Sequence, residues 1–417
     1  MSSAIVQPRR VAGLRRLVSF SEDAGRLYAS WRNYDFGPAR RDNVSMLSAY
    51  LSHRLVLEEE VLRAVLRRHA FSNAQKFIEE VFWRTYYKGW LEQRPSVWRD
   101  YRTSVSQCLK QLDTDPALHA RYTAAIEGRT NIDCFDAWVG ELRHTGYLHN
   151  HARMWFASIW IFTLRLPWSL GADFFYRHLI DGDAASNTLG WRWVAGLHTR
   201  GKTYLARAAN ICRYTNGRFN PDGMLAPMTT TIADTQDHAI EALAPGDNIP
   251  RSSKWGLLIT EEDGCPTSLI GSERPAAVLG LASPRSRSPL PIGTVAHRFA
   301  LGCVRDAAMR TARFYGTEAN SMECDDWTTQ LVSWAEKNDL EAIVTPYQPM
   351  GPIAELLASA DAALGCKGVR LHQIRRPYDS LAWPHARRGY FQFRRAIPQI
   401  VEQLGIDCVE QAIADIA

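Results

Sequence analysis

From about residue 14 to residue 222, apolar positions recur at intervals of three and four, the spacing of one face of a helix. In "VLEEEVLRAVLRRHAF" the glutamates come early and the arginines late, as the helix dipole favours. "AQKFIEEVFWRTYYKGWL" is aromatic on most faces, which predicts a buried helix. "CFDAWVGELRH" and "LHNHARMWFASIWIFTL" continue the pattern, and strand signals are weak throughout.

After Pro221 the pattern changes. "PDGMLAPMTTTIADTQDHAIEALAPGDNIPRSS" is polar and rich in Pro and Gly, and reads as a linker with room for one short helix. Short apolar runs of strand length follow: "WGLLIT", "AAVLGLAS", "EAIVTPY" and "GVRLHQI". Between them lie helical stretches, from His297 to Phe314, "DDWTTQLVSWAEKN" and "PIAELLASADAALG", with "FQFRRAIPQIVEQLG" as a closing helix. Strands that alternate with helices predict βαβ units and a mostly parallel sheet. The expected architecture is an all-helical domain over residues 14–222, a linker over 223–251 and an open, Rossmann-like α/β domain over 252–417. The basic stretch "SPRSRSPLP" reads as a solvated loop.

Composition narrows the function classes. The chain has 417 residues and a formal charge of +5, mildly basic and compatible with a nucleic-acid face. Its eight cysteines include no CxxC pair, which argues against structural zinc and against a disulfide framework. The opening stretch "MSSAIVQPRRVAGLRR" has basic residues but no apolar run of signal-peptide length. The longest apolar run, "MWFASIWIFTLRLPW", is interrupted by Arg165 and Pro167 and is too short to span a bilayer. The expectation is a cytoplasmic protein with no membrane contact. There is no GxGxxG and no P-loop, so no nucleotide is assigned to the second half by motif. The 14 tryptophans fit a large aromatic core or a cofactor and base-stacking role, and the count does not choose.

Several polar residues sit where buried helices are expected. Glu80 and Arg84 are four apart among Phe82, Trp83, Tyr86 and Tyr87; the plain reading is an i,i+4 pair, here bordering a cavity. His149, Asn150, His151 and Arg153 precede an apolar run, and a buried Arg153 needs a partner, for which Asp181 and Asp183 are candidates. No ligand spacing supports a metal. Trp138, Trp155 and Trp160 read as core.

The stretches "SMLSAYL", "FIEEVFWRTYY", "EGRTNIDCFDAWVGELRHTGYLHNHARM" and "LIDGDAASNTLGWRWVAG" together resemble the FAD-binding domain of the DNA photolyase/cryptochrome family, in family order. The resemblance covers roughly residues 14–222 and implies FAD as cofactor. It implies that Tyr28 and the Ser45–Met46–Leu47–Ser48 run line the phosphates and ribityl chain, with Arg84 on the phosphate side. It implies an Arg153–Asp181 ion pair beside the flavin ring, Asp183 at the ring's polar edge and Asn187 facing N5. Trp191 and Trp168 match the first two steps of the tryptophan chain that photoreduces the flavin. Trp83 and Trp193 match the indoles that hold a flipped pyrimidine dimer, Glu80 and Asn150 the groups that hydrogen-bond it, and Arg32 and Met154 further contacts; Glu80 and Asn150 also border the cofactor. The histidine pair of (6-4) photoproduct repair would fall at Asn150 and Met154 and is absent, which favours cyclobutane dimers.

Departures from the family pattern are specific. Val44 replaces a threonine, His151 takes the place of another basic residue, and the third tryptophan of the chain lands near Asp115. The domain order is reversed, helical half first, which reads as a circular permutation or, alternatively, as an unrelated α/β domain fused behind an FAD domain; "RRPYDSLAWPHARRGYFQF" resembles the end of the family's α/β domain and supports permutation. The resemblance allows a second, antenna chromophore without identifying it, and says nothing of oligomeric state. Two functions follow: a light-driven photolyase acting on UV-damaged DNA, with Trp191, Trp168, Glu80 and Asn187 in catalysis, or a cryptochrome-like photoreceptor or redox flavoprotein without repair.

Overall fold

The computed structural model describes residues 6–199, 201–232, 237–251 and 254–406. Residues 233–236 and 252–253, around the expected linker, and 407–417, the end of the expected α/β domain, lie outside the described residues.

The first half is helical, as the three-four spacing predicts. Its helices are α1 (Arg10–Phe20), α2 (Arg26–Trp31), α3 (Ser48–Ser52), α4 (Glu58–Leu66), α5 (Phe71–Glu92), α6 (Pro95–Thr114), α7 (Pro116–Glu127), α8 (Asp133–Thr145), α9 (Asn150–Ser158), α10 (Trp168–His178), α11 (Ala184–Val194) and α12 (Ala208–Tyr214). The run after Arg153 continues α9 into one π-helical turn, Ile159–Thr163, and breaks where Arg165 adopts a left-handed backbone (φ 52°). Trp138, Trp155 and Trp160 are fully buried, as expected for core. Residues 223–232 and 237–251 contain no helix or strand, so the short helix allowed for in the linker is absent among them. Too few apolar side chains there could be buried to offset ordering a helix.

The second half is a five-stranded parallel sheet in the order β3-β2-β1-β4-β5, from β1 (Trp255–Ile259), β2 (Ala277–Ala282), β3 (Ala319–Glu323), β4 (Ala342–Pro346) and β5 (Arg370–Ile374). The central pairing sets Leu257 against Val278 on one side and Val344 on the other. Between β1 and β2 lies the short α13 (Thr267–Ile270). One face is covered by α14 (Thr294–Tyr315), the other by α15 (Trp327–Asn338) and α16 (Pro352–Cys366). A Cβ at Gly256 would lie 2.5 Å from the Trp334 ring, so only glycine lets that tryptophan seat on the central strand. β3 was not expected: its residues, "ANSME", are largely exposed at a sheet edge and carry no apolar run.

Three other expectations need correction. The expected closing helix is in fact two short pieces, α18 (Tyr390–Phe393) and α19 (Ile397–Gln403), joined by a 3-10 turn, and another short helix, α17 (Pro377–Ala382), precedes them. These pieces leave the sheet and pack on the helical half: Tyr378, Ala382, Phe393, Ile397 and Ile400 share one core with residues of α1 and α3–α5. Their apolar side chains find more cover there than on a sheet whose faces α14–α16 already occupy. Finally, the "SPRSRSPLP" loop is only half solvated, because Arg287 is buried against Glu261 (3.3 Å) while Arg285 stays exposed.

Candidate functional site

A cavity of about 730 Å³ opens in the helical half, walled by α2, the α2–α3 loop, α5, the α8–α9 loop, α9 and α11. That is the size range of sites for large organic ligands. Its lining includes Tyr28, Arg32, Ser45, Met46, Ser48, Glu80, Trp83, Arg84, Asn150, Arg153, Met154, Asp181, Asp183, Asn187, Trp191 and Trp193. Residues scattered from Tyr28 to Trp193 thus converge on one space. Two expected residues do not line it. Leu47 turns into the core as the residue before α3, since Met46 beside it takes a left-handed backbone (φ 54°) that swings the loop. Trp168 starts α10, and its ring neighbours are Tyr101 at 5.9 Å and the Arg192 guanidinium at 5.8 Å.

The wall from Asp181 to Trp193 is built by one helix start. Asp183 caps α11, its carboxylate accepting from the Ser186 N–H at 2.6 Å. The helix then presents Asn187, Gly190 and Trp191 in successive turns, and a Cβ at Gly190 would meet nothing within 4 Å. Opposite, His149 caps α9 by accepting from the His151 N–H at 3.1 Å, which directs Asn150, Arg153 and Met154 along the cavity. Arg153 Nη2 donates to Asp181 at 2.9 Å. Burial pushes the Asp181 carboxyl up, but Arg153 beside it outweighs that, so it stays below the usual carboxylate range. Asn187 donates its amide to the Ala172 carbonyl at 2.8 Å, which fixes its orientation.

Asp183 does not pair with Arg153. Its partner is Lys88 (3.2 Å), which is itself buried and also lies 3.6 Å from Glu262 at the end of β1. Burial would raise Asp183, yet Lys88 and then Arg84 keep it low. Sequence reasoning missed Lys88, because a lysine between a tyrosine and a glycine carries no sign of which way the helix faces. The i,i+4 reading of Glu80 and Arg84 also fails: Glu80 forms an ion pair with Arg32, and burial still holds its carboxyl above the usual value. Arg84 instead donates to the Ser48 carbonyl at 3.0 Å and has no carboxylate within ion-pair distance among the described residues. A guanidinium left without a carboxylate in a cavity wall suits an anionic group such as a phosphate.

The aromatic rings around Trp191 are Phe175 (5.1 Å), Trp160 (6.2 Å) and Phe156 (6.4 Å), all edge-on. Trp193 stacks on Tyr204 at 5.6 Å, and Trp83 stacks on Tyr390 with ring centres 3.4 Å apart and planes 10° apart. Tyr390 and its neighbour Phe391, which lines the cavity, were not foreseen.

Residues 77–226 match the FAD binding domain of DNA photolyase. Among curated relatives, a deoxyribodipyrimidine photo-lyase of Streptomyces griseus is 34% identical over 187 residues, 43% of this chain and 39% of that protein. One from Neurospora crassa is 31% identical over 219 residues, 50% of this chain and 34% of its own length. The chain thus matches little more than a third of the length of these relatives. A crystal structure of a bacterial class III photolyase from Agrobacterium tumefaciens superposes with a TM-score of 0.41 at 26% identity, covering 50% of this chain and 43% of that one. Residues 77–226 are an FAD-binding domain of the DNA photolyase kind. The cofactor that this match assigns to the domain is FAD.

The cavity fits that cofactor on its own terms. Asp181 Oδ1 and Ser186 Oγ are buried there without a hydrogen-bond partner, and such atoms call for a polar ligand. Arg84, Ser45 and Ser48 offer a cationic and hydroxyl-bearing end, and the Asp181–Trp191 wall a polar, flat one.

Proposed function

We propose that this protein is a light-driven, FAD-dependent photolyase that splits cyclobutane pyrimidine dimers in UV-damaged DNA. The observation that carries the reading is that one cavity joins the cofactor-type wall, Arg153, Asp181, Asp183, Asn187 and Trp191, to a substrate-type rim of Glu80, Trp83, Asn150, Met154 and Trp193. When bound and reduced, FAD would supply the light-driven, returnable electron that splitting a cyclobutane dimer requires.

The chain's own residues do the rest. Tyr28, Ser45, Met46, Ser48 and Arg84 hold the phosphate end. Arg153 and Asp181 fix the ring laterally, Asp183 keeps a negative charge at its polar edge, and Asn187 offers a neutral amide. Trp191 passes electrons inward. Trp83 and Trp193 stack on the extruded dimer, while Glu80, Arg32, Asn150 and Met154 orient it. Asn150 and Met154 in place of a histidine pair support cyclobutane over (6-4) lesions. The reversed domain order is read as a circular permutation, supported by the packing of α17–α19 against α1 and α3–α5, where an unpermuted chain would pass from the sheet into the helical half.

A second reading, a blue-light receptor without repair, is favoured by two observations. Tyr390 covers one face of Trp83, and Glu80 is tied to Arg32. Stoichiometric FAD uptake and its reduction under blue light are expected on both readings. Loss of dimers from a damaged oligonucleotide separates them: light-dependent loss supports the photolyase, and none with FAD bound and photoreducible supports the receptor.

A further inference from the structure

The stretch from His385 to Arg395 contains His385, Arg387, Arg388, Arg394 and Arg395 and no acidic residue. Of these, Arg394 pairs with Glu79 at 3.4 Å. Arg387, Arg388 and Arg395 are exposed and have no acidic partner among the described residues. Their backbone is nevertheless held rigidly. The Arg388 carbonyl accepts from Tyr86 Oη at 2.9 Å and the Arg387 carbonyl from Arg94 Nη2 at 2.7 Å. Tyr390 stacks on Trp83 and donates to the Glu79 carbonyl at 2.7 Å, and Phe393 is fully buried. Between these anchors Phe391 is 77% exposed, yet it borders the cavity. A phenylalanine fixed at a cavity mouth and packed on nothing is a surface waiting for an apolar face.

We infer that residues 385–395 form a second lip of the cavity that binds DNA: Phe391 stacks on an extruded base, and Arg387, Arg388 and Arg395 take the flanking phosphates. The inference rests on the photolyase reading and adds to it a segment outside the FAD-binding domain. The chemistry selects a nucleic-acid strand because it supplies flat rings and a regular run of negative charge together. A free anion would use the arginines and leave Phe391 bare. An acidic peptide would supply no ring for a mouth already lined by Trp83 and Trp193.

The test is fluorescence anisotropy with the full chain, using a dimer-containing duplex, the matching undamaged duplex and an RNA of the same sequence. Phe391→Ala is expected to weaken the dimer duplex about tenfold, on the scale of one lost base–aromatic stack, and to leave the undamaged duplex nearly unchanged. The triple change Arg387→Gln, Arg388→Gln, Arg395→Gln should weaken both duplexes and make the slope of log K against log salt shallower by roughly two to three. Phe314→Ala, a comparably exposed phenylalanine away from the cavity, serves as the control. All the changed side chains are exposed, and FAD absorbance confirms folding. Wild-type binding that neither change alters overturns the inference, as does tighter binding of RNA than of the dimer duplex or no binding of either. Binding through this lip without light-dependent dimer loss leaves the lip standing and removes the repair reading instead.

Discussion

Lys88 is the residue on which the polar edge of the cavity depends. It lies between Asp183, which is buried like Lys88 itself, and the partly buried Glu262, and its ammonium offsets both carboxylates. Lys88→Met should cost about 3–5 kcal/mol, the usual consequence of leaving a buried charge unpaired. The pH dependence of that loss has a definite sign. Without Lys88, burial holds both carboxyls above their unfolded values, so the folded variant binds protons more tightly. Its stability should recover as pH falls from 7 towards 5; a deficit independent of pH in denaturant titrations would contradict the pairing. His149 gives the opposite slope. Burial pushes its imidazole down, and its Nδ1 must be unprotonated to accept from His151. Its stabilising effect is full above pH about 6.5 and fades as pH falls below that, by up to ~1.4 kcal/mol per unit. His149→Asn, which keeps a capping acceptor, should flatten the wild-type curve in that window, and parallel curves would refute the assignment. Trp191→Phe should slow photoreduction of bound FAD while leaving uptake intact. Comparing Trp160→Phe with Trp168→Phe in the same measurement ranks the two routes beyond it, since the indole seen beside Trp191 is Trp160.

At the scale of elements, the site depends on how closely α10 meets α11. A Cβ on Gly171 would lie 2.3 Å from the Trp191 ring, so this glycine lets the indole lie flat across the helix. Gly171→Ala should therefore cost roughly 1–3 kcal/mol and displace Trp191, seen as changed tryptophan fluorescence and slower photoreduction. Periodicity made the helices of the first half legible, and apolar runs made β1, β2 and β4 legible, because each is buried along its whole length; β5, half-buried at the other edge, still carries Leu371 and Ile374, with Val369 just before it. β3 was hidden because an exposed edge strand has no such run. The closing segment read as one helix because Phe393, Ile397 and Ile400 have helical spacing, yet the helical half they pack on could not be seen in the segment itself. The cavity residues Arg153, Asp181, Asp183, Asn187 and Trp191 were found through their resemblance to a family motif. Lys88, Tyr390 and Phe391 lie beyond what that motif specifies, and their roles arise from long-range packing.

At the scale of the whole molecule, the α/β half is tied to the helical half through buried charges. Arg54 meets Asp379 at 2.6 Å and lies 3.7 Å from Asp263, and Lys88 reaches Glu262. Glu92 on α5 accepts from Tyr347 Oη at 2.6 Å. Parallel sheets of this order offer a crevice at the carboxyl ends of β1 and β4, where the order reverses. Here α5 fills that region with Lys88 and Glu92, so the ligand cavity lies in the helical half and the sheet braces it. The same helix carries Glu80, Trp83 and Arg84 on the cavity wall, which makes α5 the link between the scaffold and the proposed chemistry. The central claim is repair, and its most direct measurement counts cyclobutane dimers in an oligonucleotide incubated with reduced, FAD-loaded protein under blue light and in the dark. The account expects dimers to disappear in the light alone, over many turnovers, and Glu80→Gln to slow their loss. Equal dimer counts in light and dark, with FAD bound and reduced, would contradict it.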